Sequence, residues 1–380
     1  MTDRTAATHT FRIIGRGDPA PIFVGRCTVN PEFKFDMAGG RFVLLAFLGT
    51  LADAQAAGAL RLIREIATAF DDTKLAFFGV IASARDAETE AFKDIARSHR
   101  FFLDYDGAIS RAYGSAPIDA DGPRDQMPYQ RRWVLIDPML RIVAVVPFRQ
   151  DGADLDAVRD LVLALPPLQR FTGLEVHPPI LVLPDVFEPE LCRRLIGLYD
   201  AHGGVESGYM RERDGKTVPA YDTGHKRRAD YTIEDPELIK ELQAKIKRRV
   251  VPEIAKAHQF TATRMERYIV GCYDSSSGGH FRAHRDNTTK GTAHRRFALS
   301  VNLNGDFDGG EVSFPEFGPR SFKAPPGGGV VFSCSLMHAV SRVTRGRRYA
   351  FLPFLYDEEA AKLREANSRF LADTLGSYRS

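Results

Sequence analysis

Two histidines, an aspartate and an arginine toward the C-terminal end carry the strongest chemical signal in this chain. His284 and Asp286 are separated by one residue, His338 lies further on, and Arg348 follows ten residues after that second histidine. Two imidazoles and one carboxylate form the ligand set of a non-haem Fe(II) site that keeps coordination positions open. A cation shortly after the distal histidine suits a dicarboxylate partner, because a guanidinium matches a carboxylate bidentately. The chain has ten histidines, so a His-x-Asp tripeptide alone is a weak pattern and the weight rests on the constellation. Residues two apart on a strand share a face, which aims His284 and Asp286 the same way. His280, four residues before His284, falls on that face and is a candidate for substrate contact. Arg296, at the start of the next strand, is another.

These residues need a scaffold that brings distant segments together. Arg296-Phe-Ala-Leu-Ser-Val-Asn-Leu-Asn304 reads as a strand, Asp306-Phe-Asp-Gly-Gly310 as a turn, and Glu311-Val-Ser-Phe314 as the start of another strand. A second turn at Pro325-Pro-Gly-Gly-Gly329 precedes the apolar strand Gly329-Val-Val-Phe-Ser-Cys334, then His338 and a last strand over 348–356. Short strands punctuated by Gly/Pro turns predict a double-sheet jelly roll of the cupin type.

Residues 266–356 resemble the catalytic domain of prolyl 4-hydroxylase-like 2-oxoglutarate oxygenases. The motifs that carry the likeness are His284-x-Asp286, Phe307-Asp-Gly-Gly-Glu311 and His338-x-Val-x-x-Val-Thr-x-Gly-x-Arg348. The resemblance implies that His284, Asp286 and His338 bind Fe(II) and that Arg348 pairs with the distal carboxylate of 2-oxoglutarate. Tyr273 resembles the tyrosine that precedes the His-x-Asp pair in this family and touches the co-substrate. Where some members of the broader superfamily carry Ser two residues after the arginine, this chain has Ala350. The implied reaction consumes O2 and 2-oxoglutarate, releases succinate and CO2, and hydroxylates an unactivated C–H, with ascorbate a candidate reductant. The implied substrates include peptidyl proline, other protein side chains and small molecules.

At 380 residues, two domains can each bury a core. A net charge of +3 argues against nucleic acid or an anionic membrane surface as partner. No apolar run approaches a membrane span, and the polar start lacks the apolar core of a signal peptide. The four cysteines, Cys27, Cys192, Cys272 and Cys334, are scattered without a CxxC pair. That pattern suits reduced thiols and predicts a cytoplasmic location.

Residues 1–10 read as a disordered start. After a turn-rich entry at Gly17-Asp-Pro-Ala-Pro21, continuous apolar runs at 42–48 and 75–81 predict buried strands. Helical spacing marks Ala54 to Phe70 and Asp86 to Ser98. A hairpin is expected over 133–146 and a closing helix from Asp154 to Leu165, so strands alternate with helices around a central sheet. Residues 15–165 resemble the peroxiredoxin branch of the thioredoxin fold. That family places its peroxidatic cysteine at the start of the helix after the first buried strand, where the backbone lowers its pKa. This chain reads Leu51-Ala-Asp-Ala-Gln-Ala56 there, and Cys27 lies well upstream as a small buried residue. A degenerate peroxiredoxin-like domain without peroxidase activity is expected, serving dimerisation, substrate docking or scaffolding.

The predicted organisation is a thioredoxin-like α/β/α domain over 1–168, a Pro-containing linker over 169–179 and a double-stranded β-helix (jelly-roll, cupin-type) oxygenase domain with flanking helices over 180–380. Within the last, a strand at 180–183 leads to a helix with Pro189 in its first turn. Residues 203–228 lack periodicity and read as a long loop, either a lid or disordered. A helix begins at Asp235-Pro236 and breaks near Pro252. Met265 to Cys272 returns to strand and delivers Tyr273. Two rival functions are a non-catalytic redox or partner-binding scaffold, opposed by the intact triad and Arg348, and a thiol peroxidase, opposed by the missing cysteine.

Overall fold

A computed structural model describes residues 9–119 and 128–372. The start expected to be disordered lies outside the described residues except for His9 and Thr10. The chain divides into two units, Met1–Val176 with Pro315–Gly318, and His177–Phe314 with Pro319–Ser380.

In the first unit, strands Phe42–Gly49 and Leu75–Ile81 are buried along their whole length and pair in parallel. Continuous apolar runs are what a sheet covered on both faces requires. Arg100–Leu103 extends the parallel set, and the hairpin Arg132–Ile136 with Ile142–Pro147 joins the other side antiparallel. Val24–Cys27 and Asn30–Lys34 complete a seven-stranded sheet. Alternation sorts the central strand. Phe42, Leu44, Ala46 and Leu48 pack with Leu62 and Ile63 of helix Ala54–Glu65, while Val43, Leu45 and Phe47 pack with Ile109 and Tyr113 on the opposite face. This is the thioredoxin-like α/β/α arrangement. Two helices are shorter than expected. The first ends at Glu65, and the second is split into Ala84–Ala87 and Glu90–Ser98. Thr89 causes the split, because its hydroxyl accepts from the Phe92 N–H at 3.2 Å and so starts a new helix.

The second unit is built on two antiparallel sheets. The larger runs Arg264–Glu266, Phe354–Tyr356, Phe297–Asn302, Arg347–Phe351, Ile269–Asp274, Ala229–Thr232, Val205–Glu206, with Gly329–Ser333 and Leu181–Leu183 branching from the third of these. The smaller runs Lys226–Arg227, His280–His284, His338–Val340, Val312–Ser313, Ser321–Phe322. Helices Pro189–His202, Pro236–Arg249 and Val251–His258 cover the larger sheet, burying Leu191, Leu195, Leu238, Leu242, Ile246 and Ile254 in one core with Val270, Leu299 and Phe351. Asp235 caps the second of these helices, accepting from the Glu237 N–H at 3.0 Å.

Residues 203–228 depart from the loop expectation. They hold Val205–Glu206, Lys226–Arg227 and a hairpin of Tyr209–Arg213 with Lys216–Ala220. Asp214 and Gly215 form the two-residue turn at φ +51° and +73°, the left-handed pair that an Asp-Gly dipeptide favours. That dipeptide was the available signal. The strands themselves are mostly half-buried and carry no apolar alternation to announce them.

Candidate functional site

His284 ends the strand His280–His284, and His338 begins the strand His338–Val340 beside it. The register sets the two histidines opposite each other, with ring centroids 4.2 Å apart. Asp286 is not on the strand, as its spacing suggested, but in the turn that follows. The ladder is irregular between Phe281 and His284, so strict alternation fails there. Its backbone N–H donates to the Cys334 carbonyl at 3.0 Å, which returns the carboxylate to the histidines. His284 Nε2 is 3.5 Å from Asp286 Oδ1, and His338 Nε2 is 3.3 Å from Oδ2. One donor atom from each residue lies within 4.8 Å of the others.

The far ring nitrogens fix the tautomers. His284 Nδ1 is 2.8 Å from the Arg282 carbonyl and His338 Nδ1 is 3.0 Å from the Leu336 carbonyl. A carbonyl only accepts, so each Nδ1 carries the proton and each Nε2 presents its lone pair toward Asp286. Burial, aided by the neighbouring His284, pushes His338 down to about 4, so it is neutral at pH 7. Burial alone would raise the Asp286 carboxyl, but His338, His284 and Arg295 outweigh it and hold Asp286 below the usual carboxylate range. A neutral imidazole beside an ionised carboxylate is the protonation state a divalent cation needs.

His294 and Arg295 are buried and structural. Arg295 Nε donates to Glu266 Oε1 at 2.8 Å, and its Nη1 reaches the Asp286 carbonyl at 3.4 Å. His294 Nε2 lies 3.0 Å from Glu266 Oε2. This pair therefore ties the turn that carries Asp286 to the strand Arg264–Glu266. The polar composition of residues 287–295 hid it.

Arg348 is 1% exposed. Its Nε donates to Asn302 Oδ1 at 2.9 Å and its Nη2 to Ser300 Oγ at 2.7 Å. Its Nη1 is buried without a partner. Asn302 and Ser300, on the strand Phe297–Asn302, are the guanidinium's neighbours, and Ala350 is fully buried apolar packing. Gly310 explains part of the Asp-Gly-Gly motif. It sits at φ +66°, and a Cβ there would come within 2.9 Å of Arg348 Cδ. Tyr273 stands opposite Arg348 in the adjacent strand, also 1% exposed.

One cavity gathers His284, Asp286, His338, Arg348 and Tyr273, with apolar walls from Leu299, Val312 and Phe332. Arg228 and Arg267 also line it, and the sequence marked neither as a site residue. His280 and Arg296 do not line it. Both ring nitrogens of His280 face backbone carbonyls, Gly278 at 2.8 Å and Gly224 at 3.2 Å, and Arg296 Nη1 donates to the Ala293 carbonyl at 3.0 Å.

In the first unit the helix start at Ala54 is closed by other chemistry. Asp53 caps it, accepting from the Ala56 N–H at 3.0 Å, and the Arg131 guanidinium pairs with Asp53 while its Nε donates to the Leu48 carbonyl. Cys27 is buried at 4% exposure on a strand paired on both sides. Among the described residues no helix is long and apolar enough to cross a membrane.

Comparison with known proteins gives the following. Residues 263–356 match the model of the 2OG-Fe(II) oxygenase superfamily. A PKHD-type hydroxylase of Pseudomonas fluorescens (strain Pf0-1) is 30% identical over 183 residues, which cover 45% of this chain and 75% of that protein. Among solved structures, a Pseudomonas putida prolyl-4-hydroxylase aligns with 14% identity and a TM-score of 0.34 over 50% of this chain and 97% of its own. The peroxidoxin BcpB of Mycobacterium tuberculosis aligns with 15% identity and a TM-score of 0.35 over 40% of this chain and 99% of its own.

Proposed function

The chain belongs to the 2OG-Fe(II) oxygenase superfamily, and from that premise we propose that its second unit hydroxylates an unactivated C–H of a peptidyl, proline-like or small-molecule substrate. In this reading His284, Asp286 and His338 hold Fe(II). Arg348 and Tyr273 hold the far carboxylate of 2-oxoglutarate. The residues present suit both groups. The donor set is two imidazole Nε2 lone pairs and one ionised carboxylate, and the cavity that contains them ends on a buried, unpaired guanidinium nitrogen. That unpaired Arg348 Nη1 is the observation that carries the reading, because a buried donor without an acceptor is costly unless a ligand supplies one.

Fe(II) held by His284, Asp286 and His338 would supply the chemistry by which O2 and 2-oxoglutarate give succinate, CO2 and a hydroxylated substrate C–H. The chain's own residues do the rest. The Arg282 and Leu336 carbonyls keep the two imidazoles in the ligating tautomer. Arg295 and Glu266 hold the Asp286 turn in place. Asn302 and Ser300 hold Nε and Nη2 of the Arg348 fork and leave Nη1 without a partner. Leu299, Val312 and Phe332 keep water away from the reacting centre. Ascorbate is proposed as a reductant that maintains the ferrous state.

The first unit is proposed as a recognition module, for a protein or carrier-bound substrate or for a second copy of the chain. The cysteine-free helix start supports a role without thiol chemistry. We further propose domain limits of 1–168 and 180–380 with a linker between, and a cytoplasmic location.

The test is succinate formation by anaerobically purified protein supplied with Fe(II), 2-oxoglutarate and O2, comparing wild type with His284→Ala and Arg348→Ala. Succinate from wild type alone supports the reading. Absence of both iron binding and succinate in the wild type sinks it and favours a non-catalytic module. Candidate polypeptides that never gain the mass of one oxygen atom would move the substrate toward small molecules.

A further inference from the structure

Arg228 lies next to the cross-strand pair of Tyr273 and Arg348. Ala229 pairs with Cys272 and Tyr273 pairs with Arg348, so Arg228, the residue just before the strand Ala229–Thr232, comes beside Tyr273, which in turn stands opposite Arg348. The Tyr273 ring sits between two guanidiniums, 5.6 Å from the Arg228 carbon and 5.3 Å from that of Arg348. The two arginines differ in how they are satisfied. Arg228 donates from Nε to Asp230 Oδ1 at 2.6 Å and from Nη2 to Oδ2 at 2.8 Å, with Ser207 Oγ at 3.2 Å. Asp230 is fixed in turn by the Ser207 hydroxyl at 2.5 Å and Arg267 Nη2 at 3.2 Å. Arg348 has only the neutral partners Asn302 and Ser300 in its hydrogen bonds. Arg228 is thus ion-paired and locked, whereas Arg348 keeps a donor aimed at whatever enters.

The remaining Arg228 donor, Nη1, reaches the Tyr273 hydroxyl at 3.3 Å. A guanidinium has no lone pair, so the phenol oxygen must accept there and its own proton must point elsewhere. Tyr273 is 1% exposed and lines the cavity that also holds Arg348. We propose that Arg228 is a positioning residue for the co-substrate: it fixes the Tyr273 hydroxyl as a donor to the same carboxylate that Arg348 engages. This rests on the reading of Arg348 and Tyr273 given above. Because Asp230 holds its Nε and Nη2, Arg228 acts through the tyrosine and not by pairing with the co-substrate.

The test is calorimetric titration of 2-oxoglutarate into the Mn(II)-loaded full chain without O2, for wild type, Tyr273→Phe, Arg228→Lys, their double variant and Arg348→Met. Loss of one hydrogen bond to a charged group predicts about tenfold weaker binding for Tyr273→Phe and for Arg228→Lys. The double variant should bind no more weakly than Tyr273→Phe, because both changes remove the same bond. Mn(II) affinity should stay constant throughout, and in turnover the KM for 2-oxoglutarate should rise with kcat preserved at saturation. Wild-type binding by Arg228→Lys, or losses that multiply in the double variant, overturns the proposal. Wild-type binding by Arg348→Met instead overturns the underlying reading of the carboxylate site. Should Arg228→Lys fail to fold, Asp230→Asn loosens the same guanidinium while retaining it. Weaker 2-oxoglutarate binding by that variant supports the role, and unchanged binding removes it.

Discussion

Tyr273 and Arg348 are cross-strand partners, and the guanidinium carbon of the arginine lies 5.3 Å from the centroid of the tyrosine ring. Both are 1% exposed. A buried cation is costly unless compensated, and here the hydrogen-bonding compensation comes from Asn302, Ser300 and an aromatic face, with no carboxylate among these contacts. This is the basis of the proposal that the site receives a carboxylate, and several consequences can be measured.

Replacing Arg348 by Met should raise the KM for 2-oxoglutarate by roughly 30-fold or more, since truncating one side of a buried charge pair costs about 2–5 kcal/mol. Iron content should be unchanged, because Arg348 takes no part in the His284–Asp286–His338 cluster. Parallel loss of iron would show that the substitution disturbs the fold and not the anion site.

Asp286→Ala should abolish stoichiometric Fe(II) binding, lowering affinity on the order of 100-fold or more, a larger effect than loss of an outer partner. Equilibrium dialysis measures this directly. Retention of iron at wild-type affinity would exclude Asp286 as a ligand.

Gly310→Ala introduces a Cβ within 2.9 Å of Arg348 Cδ at a residue with φ +66°. Left-handed backbone at a non-glycine costs of order 1–3 kcal/mol, so a fall in melting temperature is expected. The displaced arginine should also weaken 2-oxoglutarate binding. Unchanged calorimetric affinity would separate the glycine from the site.

Glu266 gives the protein a defined acid sensitivity. Burial would raise its carboxyl, but Arg295, His294 and Arg364 outweigh burial and hold it below the ordinary range. A carboxyl lowered on folding stabilises the native state above its unfolded pKa, and that stability is lost as pH falls toward the folded pKa. Wild type should thus lose stability progressively below about pH 4.5. Glu266→Gln should be destabilised by about 3–5 kcal/mol at pH 7, leaving buried cations uncompensated. The difference between the two should shrink on acidification, and a constant difference would argue against the ion cluster. Denaturant unfolding at several pH values decides it.

Hydrogen peroxide should not be consumed. Helix Ala54–Glu65 begins at an Asp53 cap paired with Arg131, and Cys27 is buried. Thiol-dependent peroxide loss abolished by Cys27→Ala would restore the peroxidase reading.

Much of this molecule is legible in one dimension because its determinants are local. The runs at 42–48 and 75–81 are apolar at every position, which only a strand covered on both faces satisfies. His284 and Asp286 are close in sequence, and the Phe307-Asp-Gly-Gly-Glu311 turn announces itself by its glycines. The distance from His338 to Arg348 spans one strand and one turn, short enough to be read as a unit. The absence of cysteine from 51–56 is equally plain.

What the sequence by itself determined is therefore the two fold classes and the grouping of His284, Asp286 and His338. Tertiary structure alone decided the rest. Contacts between segments distant in the chain placed Arg228 beside Tyr273, joined Glu266 to His294 and Arg295, and turned the nitrogens of His280 onto backbone carbonyls instead of into the cavity. The physical reason is that such neighbours are set by how segments distant in the chain pair and pack, and a register shift of one residue would send strand side chains such as Tyr273 and Arg348 to the opposite face.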